Sequence, residues 1–274
     1  ELPKAYRRLR QMCIRDRTAT GPPLLALHGF TGDRGALALI TGPLSERHTI
    51  IAIDLPGHGR TGIVEQMTEY RFENTIDAVA AVLSRLGHDR VDVLGYSMGG
   101  RLALGLAIQH PERVQRSVLV SASAGIADNA QRTARRRADD QLAEELLERG
   151  IEWFVDYWMG LPMFASQNRL HPDILEASRR QRLENDPRGL ARSLRGVGSG
   201  NQPPLWRQLE EVAGPVLIVV GEEDTQFRSL GVRMATGLRD ATIAVIPEAG
   251  HACHLENPEA TTSAVSNFLS GGME

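Results

Sequence analysis

The stretch "VLGYSMGGRLAL" sets a serine, Ser97, between Gly95 and Gly99, with Arg101 four residues further on. Gly-x-Ser-x-Gly after an apolar run and ahead of a helical pattern describes a nucleophile elbow, a sharp turn that lifts a hydroxyl clear of a sheet. The serine there must hold a sparsely populated backbone conformation, and side chains at positions 95 and 99 would strike the neighbouring strand and helix. A hydroxyl is inert without a base, so a histidine is needed, with an acid to orient it. In elbow-bearing chains the acid follows the serine and the histidine comes last. "VLIVVGEEDTQF" puts Asp224 in the loop beyond a strand-like run, and "IPEAGHACHLENP" puts His251 after the final run. Asp54 and Glu223 stay open as alternatives for the acid. His254 is the rival base, although its offset of three residues suits a supporting contact better. His28, His48, His58, His88, His110 and His171 read as turn or surface histidines. An oxyanion at such a centre needs two backbone N–H donors. Met98, directly after the serine, supplies one, and Phe30 in "LHGFTGD" supplies the other.

These groups need a scaffold that gathers them at one edge. Five short apolar runs, each closed by a turn signal, read as buried parallel strands: Leu24–Leu27, Thr49–Ile53, Val91–Leu94, Ser117–Val120 and Val216–Val220. Ile243–Ile246 is a weaker sixth. Helical spacing falls between them, as in Thr75–Leu86 and Gly100–Ile108. Alternating strands and helices imply an α/β fold, a mostly parallel sheet covered by helices on both faces. Right-handed crossovers then bring every strand's C-terminal end to one edge, where ligands bind. Between about Ser121 and Leu209 the alternation stops. This arginine-rich stretch, with Trp153, Phe154, Tyr157 and Trp158 close together, reads as an inserted helical cap over residues 123–209. Residues 21–122 and 210–274 then form the core. Residues 1–20 show neither strand alternation nor a clean helical face, and read as a tail of uncertain origin.

With 42% hydrophobic and 24% charged residues among 274, the chain suits one sizeable core. A net charge of −3 argues against a nucleic-acid partner. No apolar run reaches the roughly 18 residues a membrane helix needs, and no secretory signal pattern opens the chain, so a cytoplasmic protein, monomeric or weakly homo-oligomeric, is expected. Cys13 and Cys253 are too few for a disulfide framework, and no metal or other cofactor is called for. Lys4 is the only lysine, so arginines are plentiful by default and a single one carries little weight. Arg101 nevertheless lies one helical turn below Ser97, where a buried guanidinium is costly unless it meets an anion, pairs with a structural carboxylate or reaches solvent.

Taken in order, "LLALHGFTGD", "IDLPGHGR", "GYSMGGRLAL", "GEEDTQF" and "AGHACHLENP" resemble the α/β-hydrolases. The arginine of "GYSMGGR", the stretch "AQRTARRRADDQLA", and "WMGLPMFAS" before "RQRLENDPRGLARSLRGVGSGNQP" narrow the likeness. Together they resemble the 2-succinyl-6-hydroxy-2,4-cyclohexadiene-1-carboxylate synthases of menaquinone biosynthesis, from about Leu24 to Leu269. The resemblance implies a lyase that expels pyruvate from 2-succinyl-5-enolpyruvyl-6-hydroxy-3-cyclohexene-1-carboxylate, a small anionic substrate. It implies Ser97, backed by His251 and Asp224, as the proton-abstracting base. Tyr96, Arg101, Arg135, Trp158 and Arg182 become substrate-binding residues, with Arg132, Arg136, Arg137, Arg179 and Arg180 close enough in register to exchange with the cap arginines. Two departures stand out. The family opens with a short antiparallel hairpin that residues 1–20 do not resemble, and Leu37 stands where an aromatic is usual. The rival readings are a carboxylester or carbon–carbon bond hydrolase with the same triad and, more remotely, a non-catalytic binding protein of the same fold.

Overall fold

The computed structural model describes residues 14–17, 21–61 and 63–271. Among these, seven strands form one sheet in the order β1-β3-β2-β4-β5-β6-β7. Six of them are parallel: β2 (Pro23–Leu27), β3 (Thr49–Ile53), β4 (Val91–Tyr96), β5 (Val114–Val120), β6 (Val216–Gly221) and β7 (Ala241–Ile246). The five expected central runs are all strands, and β4 and β6 are buried at every position because helices cover both faces.

Strand β1 (Ile14–Arg17) departs from the sequence reading. It pairs antiparallel with β3, Ile14 opposite Ile53 and Arg17 opposite Ile50, within a stretch expected to carry no element. "IRDR" has no apolar run to announce it, since an edge strand is fixed by main-chain bonds to its neighbour. The rest of the expected tail, residues 1–13 and 18–20, lies outside the described residues.

Two helices bear on the site. Helix α1 (Phe72–Arg85) and helix α2 (Met98–Gln109) pack on one face of the sheet and share its larger apolar core, with α2 buried almost throughout. Between β5 and β6, the described chain contains no strand and is mainly helical: α3 (Asn129–Met159), α4 (Pro172–Leu183) and α5 (Pro187–Val197), with a 3₁₀ helix (Pro162–Arg169) between α3 and α4. Helix α3 is broken at Gly150, whose φ of 85° a side chain would resist. This connection has a small core of its own, in which Phe154, Leu146, Leu190 and Leu194 pack with Phe30 and Trp158 from the site. After β6, helix α6 (Thr225–Gly237) follows; after β7 come α7 (Cys253–Glu256) and α8 (Pro258–Leu269). Among the described residues no helix is long and apolar enough to cross a membrane.

The β4–β5 pair carries the elbow and is stapled at its opposite end. The register shifts between Val91 and Val93, and the intervening Asp92 is buried. Arg116 of β5 grips it with both arms, Nε to Oδ1 at 2.9 Å and Nη2 to Oδ2 at 2.7 Å, and also donates to the Leu269 carbonyl. Removing one member of a buried pair strands the other charge. Arg116→Met should therefore lower the unfolding free energy by about 3 kcal/mol, read from urea midpoints, and Arg116→Met with Asp92→Asn should recover part of that loss.

Candidate active site

Ser97 stands between the end of β4 and the start of α2, at φ 50°, ψ −108°. Its own N–H donates to the Val120 carbonyl at 2.8 Å, so the strained residue is held by the adjacent strand. A Cβ at Gly95 would lie 2.3 Å from the Gly99 oxygen, and one at Gly99 would lie 2.1 Å from the Leu27 oxygen. Both contacts are impossible, so glycine is obligatory on either side of the serine.

The ends of β6 and β7 bring the partners. His251 Nε2 is 3.1 Å from Ser97 Oγ, and His251 Nδ1 is 2.8 Å from Asp224 Oδ2. A carboxylate at Nδ1 keeps the proton on that nitrogen and leaves Nε2 free to accept from the serine hydroxyl. Asp224 also caps α6, its Oδ1 accepting from the Phe227 N–H at 3.2 Å, where the helix N-terminus favours a negative charge. His251 itself is buried. Glu256, whose role the sequence reading missed, clamps its loop. Its two carboxylate oxygens accept from the Gly250 and Ala252 N–H groups at 2.8 and 3.0 Å, on either side of the histidine.

Phe30 and Met98 face the same space. A tight turn closes from Gly32 N–H to the Gly29 carbonyl at 3.0 Å, with Thr31 at a φ of 66°. Among the described residues, neither the Phe30 nor the Met98 N–H donates to a protein acceptor. The turn is held from above and below. His28 Nδ1–H donates to the Gly29 carbonyl at 2.7 Å while its Nε2 accepts from Leu55 N–H at 3.0 Å, an arrangement only the neutral ring can make. From the helical connection, Asn185 Nδ2 and Gln181 Nε2 donate to the Thr31 carbonyl at 2.9 and 3.2 Å. Asn185 Oδ1 then accepts from Gly59 N–H at 2.9 Å. No motif singles out Asn185; only packing two chain segments 154 residues apart reveals it.

A cavity of about 570 Å³ opens over Ser97, lined among others by Phe30, Tyr96, Met98 and Trp158. Four arginines and two aspartates contribute to its wall, so the chamber is net positive. Arg135 is held by Asp139 at 2.8 Å. Arg101 is buried and gives Nη1 to two neutral acceptors, the Val197 carbonyl and Gln202 Oε1, each at 2.9 Å. Burial lowers its pKa to about 10, opposed by Asp139 and aided by Arg135, so it stays charged at neutral pH. Arg182 donates from Nη1 to the Ser178 carbonyl and hydroxyl, while its Nε is buried without a partner. Burial lowers its pKa as well. Among the described residues, no carboxylate forms an ion pair with Arg101 or Arg182. Trp158 stands edge-on to Phe30, with ring centroids 5.0 Å apart.

The alternatives left open by the sequence separate cleanly. Asp54 is buried and already accepts from Arg34 N–H, Arg34 Nη1 and Arg60 N–H, which ties down its loop. Glu223 pairs with Arg169 at the surface. His254 packs on Tyr96 at 4.1 Å between ring centroids and makes no contact with Ser97. His28 and His58 do occupy turns, yet both are fully buried, contrary to a surface reading. Leu37 is buried against the sheet and lines no part of the chamber. Cys253 is buried with its thiol pushed up to about 12, inert packing. Arg179 and Arg180 form ion pairs with Asp156 and Glu176 outside the chamber.

A family model described as alpha/beta hydrolase fold matches residues 22–258. A Bacillus subtilis protein, provisionally named 2-succinyl-6-hydroxy-2,4-cyclohexadiene-1-carboxylate synthase, is 38% identical over 90% of this chain and 89% of its own. The Serratia proteamaculans synthase of that name is 32% identical over 92% of this chain and 94% of its own. Among solved structures, MenH from S. aureus is 32% identical and superposes with a TM-score of 0.90, covering 96% of this chain and 99% of that one. The chain belongs to the α/β-hydrolase fold family, in the branch occupied by these synthases.

Two outcomes follow from the local geometry. Asn185→Leu removes the bridge that holds the Phe30–Thr31 turn; it should cost about 1–3 kcal/mol of stability and lower kcat about tenfold, more than it changes KM, in paired urea and turnover measurements. His28, His58 and His254 are all held neutral by burial, their pKa values below the free value of 6.5 and that of His254 lowered to about 3. Below pH 6.5 the unfolded chain binds protons that the folded chain refuses. Stability is therefore full above that pH and is lost as pH falls, for His254 down to about 3. His254→Phe should reduce proton uptake on unfolding at pH 5 by about one, measured from the slope of unfolding free energy against pH.

Proposed function

We propose that this chain is a lyase that eliminates pyruvate from 2-succinyl-5-enolpyruvyl-6-hydroxy-3-cyclohexene-1-carboxylate, giving 2-succinyl-6-hydroxy-2,4-cyclohexadiene-1-carboxylate in menaquinone biosynthesis. The observation that carries this reading is the chamber's unmatched positive charge: Arg101 and Arg182 line the cavity over Ser97, and among the described residues no carboxylate pairs with either. A chamber built for an uncharged ester would leave those guanidinium groups desolvated without compensation. A substrate with several carboxylates supplies the missing anions, and guanidinium forks hold carboxylates with directional, charge-assisted hydrogen bonds. The synthase names of the relatives point the same way.

In this reaction the ring proton beside the succinyl ketone is the acidic one. Ser97 Oγ takes that proton as its own passes to His251 Nε2, and Asp224 steadies the resulting imidazolium. The electron pair of the broken C–H bond shifts through the ring alkene and expels the enolpyruvyl oxygen, with cleavage of that C–O bond. The departing enolate takes up a proton and becomes pyruvate. Negative charge building on the ketone oxygen meets the Phe30 and Met98 N–H groups. No acyl-enzyme is required. The helical connection over residues 123–209 acts as a cap on the core, bringing Arg135, Trp158 and Arg182 to the substrate and excluding water around it. In this reading the enzyme is cytoplasmic, acts on a small anion, and is monomeric or weakly self-associating.

Purified protein supplied with the enolpyruvyl substrate should release pyruvate, and Ser97→Ala should lower kcat by about 10³-fold or more. Arg182→Met should lower kcat/KM by about 30-fold or more through lost anion binding, with the fold retained. Brisk cleavage of a nitrophenyl ester with no pyruvate formed would instead establish the hydrolase reading.

A further inference from the structure

A second cavity, of about 490 Å³, backs onto the reaction chamber. Phe30, Tyr96 and Arg182 line both, so these three side chains form the common wall. Helix α4 of the cap bounds the new space on one side through Ile174 and Ala177. The segment from Ala36 to Leu39 and the loop after His251 bound it on the other. Most of the lining is apolar, which makes its inner polar groups conspicuous. His254 is buried there with Nδ1 unpartnered, and Arg182 Nε is likewise buried and unpartnered. The two acids of the lining do not oppose an anion inside. Asp33 is turned onto the Gly35 N–H at 2.7 Å, and the Asp173 side chain is 91% exposed at the rim.

Elimination cuts the substrate into unequal parts. The ring product keeps its carboxylates and therefore its hold on Arg101 and Arg135. The three-carbon acid, cut from the ring, needs its own carboxylate partner on the way out. We propose that the second cavity is a binding and exit chamber for this small α-keto acid, reached past Arg182, with His254 as a further polar contact; the proposal rests on the lyase reading. A guanidinium presents N–H donors around its whole edge. Arg182 spends only Nη1 on Ser178, so a carboxylate can pass from one cavity to the other without losing its charge-assisted bond. Beyond that point the attraction falls with distance, and Asp173, turned to solvent, is screened by water.

The test is to fill the second cavity from its exposed walls. Ala177 on α4 and Leu39 on the facing segment are both exposed, so Ala177→Trp and Leu39→Trp each project an indole toward the space from opposite sides and neither disturbs a core position. Rapid-quench measurement of pyruvate should show a first turnover at the unmodified rate, followed by steady turnover slowed about tenfold because release has become limiting. Added pyruvate should inhibit the unmodified enzyme more strongly than either filled variant. Unchanged steady turnover in both variants overturns the proposal, as does equal slowing of first and later turnovers, which would mean a distorted chemical step. Failure of the unmodified enzyme to form any pyruvate overturns the lyase assignment and the exit chamber with it, a result distinct from normal chemistry without slowed release.

Discussion

Ser97 can stand where it does only because backbone approaches backbone on both sides of it. The left-handed turn brings Gly95 against Gly99 and Gly99 against Leu27, distances that leave no room for a side chain. That crowding fixes α2 on the sheet, aims the hydroxyl over the C-terminal edge, and leaves the Met98 N–H open to the chamber. The cost of the strained residue, of order 1–3 kcal/mol, is offset by the buried β4, β5 and α2 that surround it. Everything else at the site is placed relative to this turn. Asp224 and His251 come from the ends of β6 and β7, and Phe30 from the end of β2, because parallel strands deliver all their loops to one edge.

The helical connection between β5 and β6 also reaches into the site. Asn185 and Gln181 reach down to the Thr31 carbonyl, so the turn bearing Phe30 is held jointly by the core and the helical connection. Arg182 lies between those two residues in sequence and faces the chamber. The side chain that lines the chamber and the two that hold the Phe30–Thr31 turn therefore come from one short stretch of chain.

The arginines around this chamber differ in what they are paired with. Among the described residues, Arg135 is paired with the Asp139 carboxylate, whereas Arg101 donates to a carbonyl and a side-chain amide, and Arg182 to Ser178. A fold tolerates a buried unpaired charge where a ligand completes it. The same logic explains the neutral histidines. His28, His58 and His254 lie close to the centre, and their burial keeps further positive charge out of it, leaving the cationic character to guanidinium groups that do not titrate near neutrality.

The sequence by itself pointed to the parallel strands, the elbow and Ser97, and put Asp224 and His251 ahead of Asp54, Glu223 and His254 as its partners. Each of these depends on local pattern: apolar runs closed by turns, glycines where no side chain fits, and a fixed order of acid and base along the chain. It also marked the helical stretch and the residues Tyr96, Arg101, Arg135, Trp158 and Arg182, all of which the fold brings to one chamber. It did not show β1, because "IRDR" carries no apolar signal and the strand is recognised by its backbone pairing with β3. Nor did it show that Asp54 is committed to Arg34 and Arg60, that Glu256 clamps the histidine loop, or that Asn185 reaches Thr31. Which of the arginines has a carboxylate partner was likewise decided only by tertiary structure. Partnership across long sequence separations follows from how the helical connection lies on the sheet edge, and no local pattern encodes that.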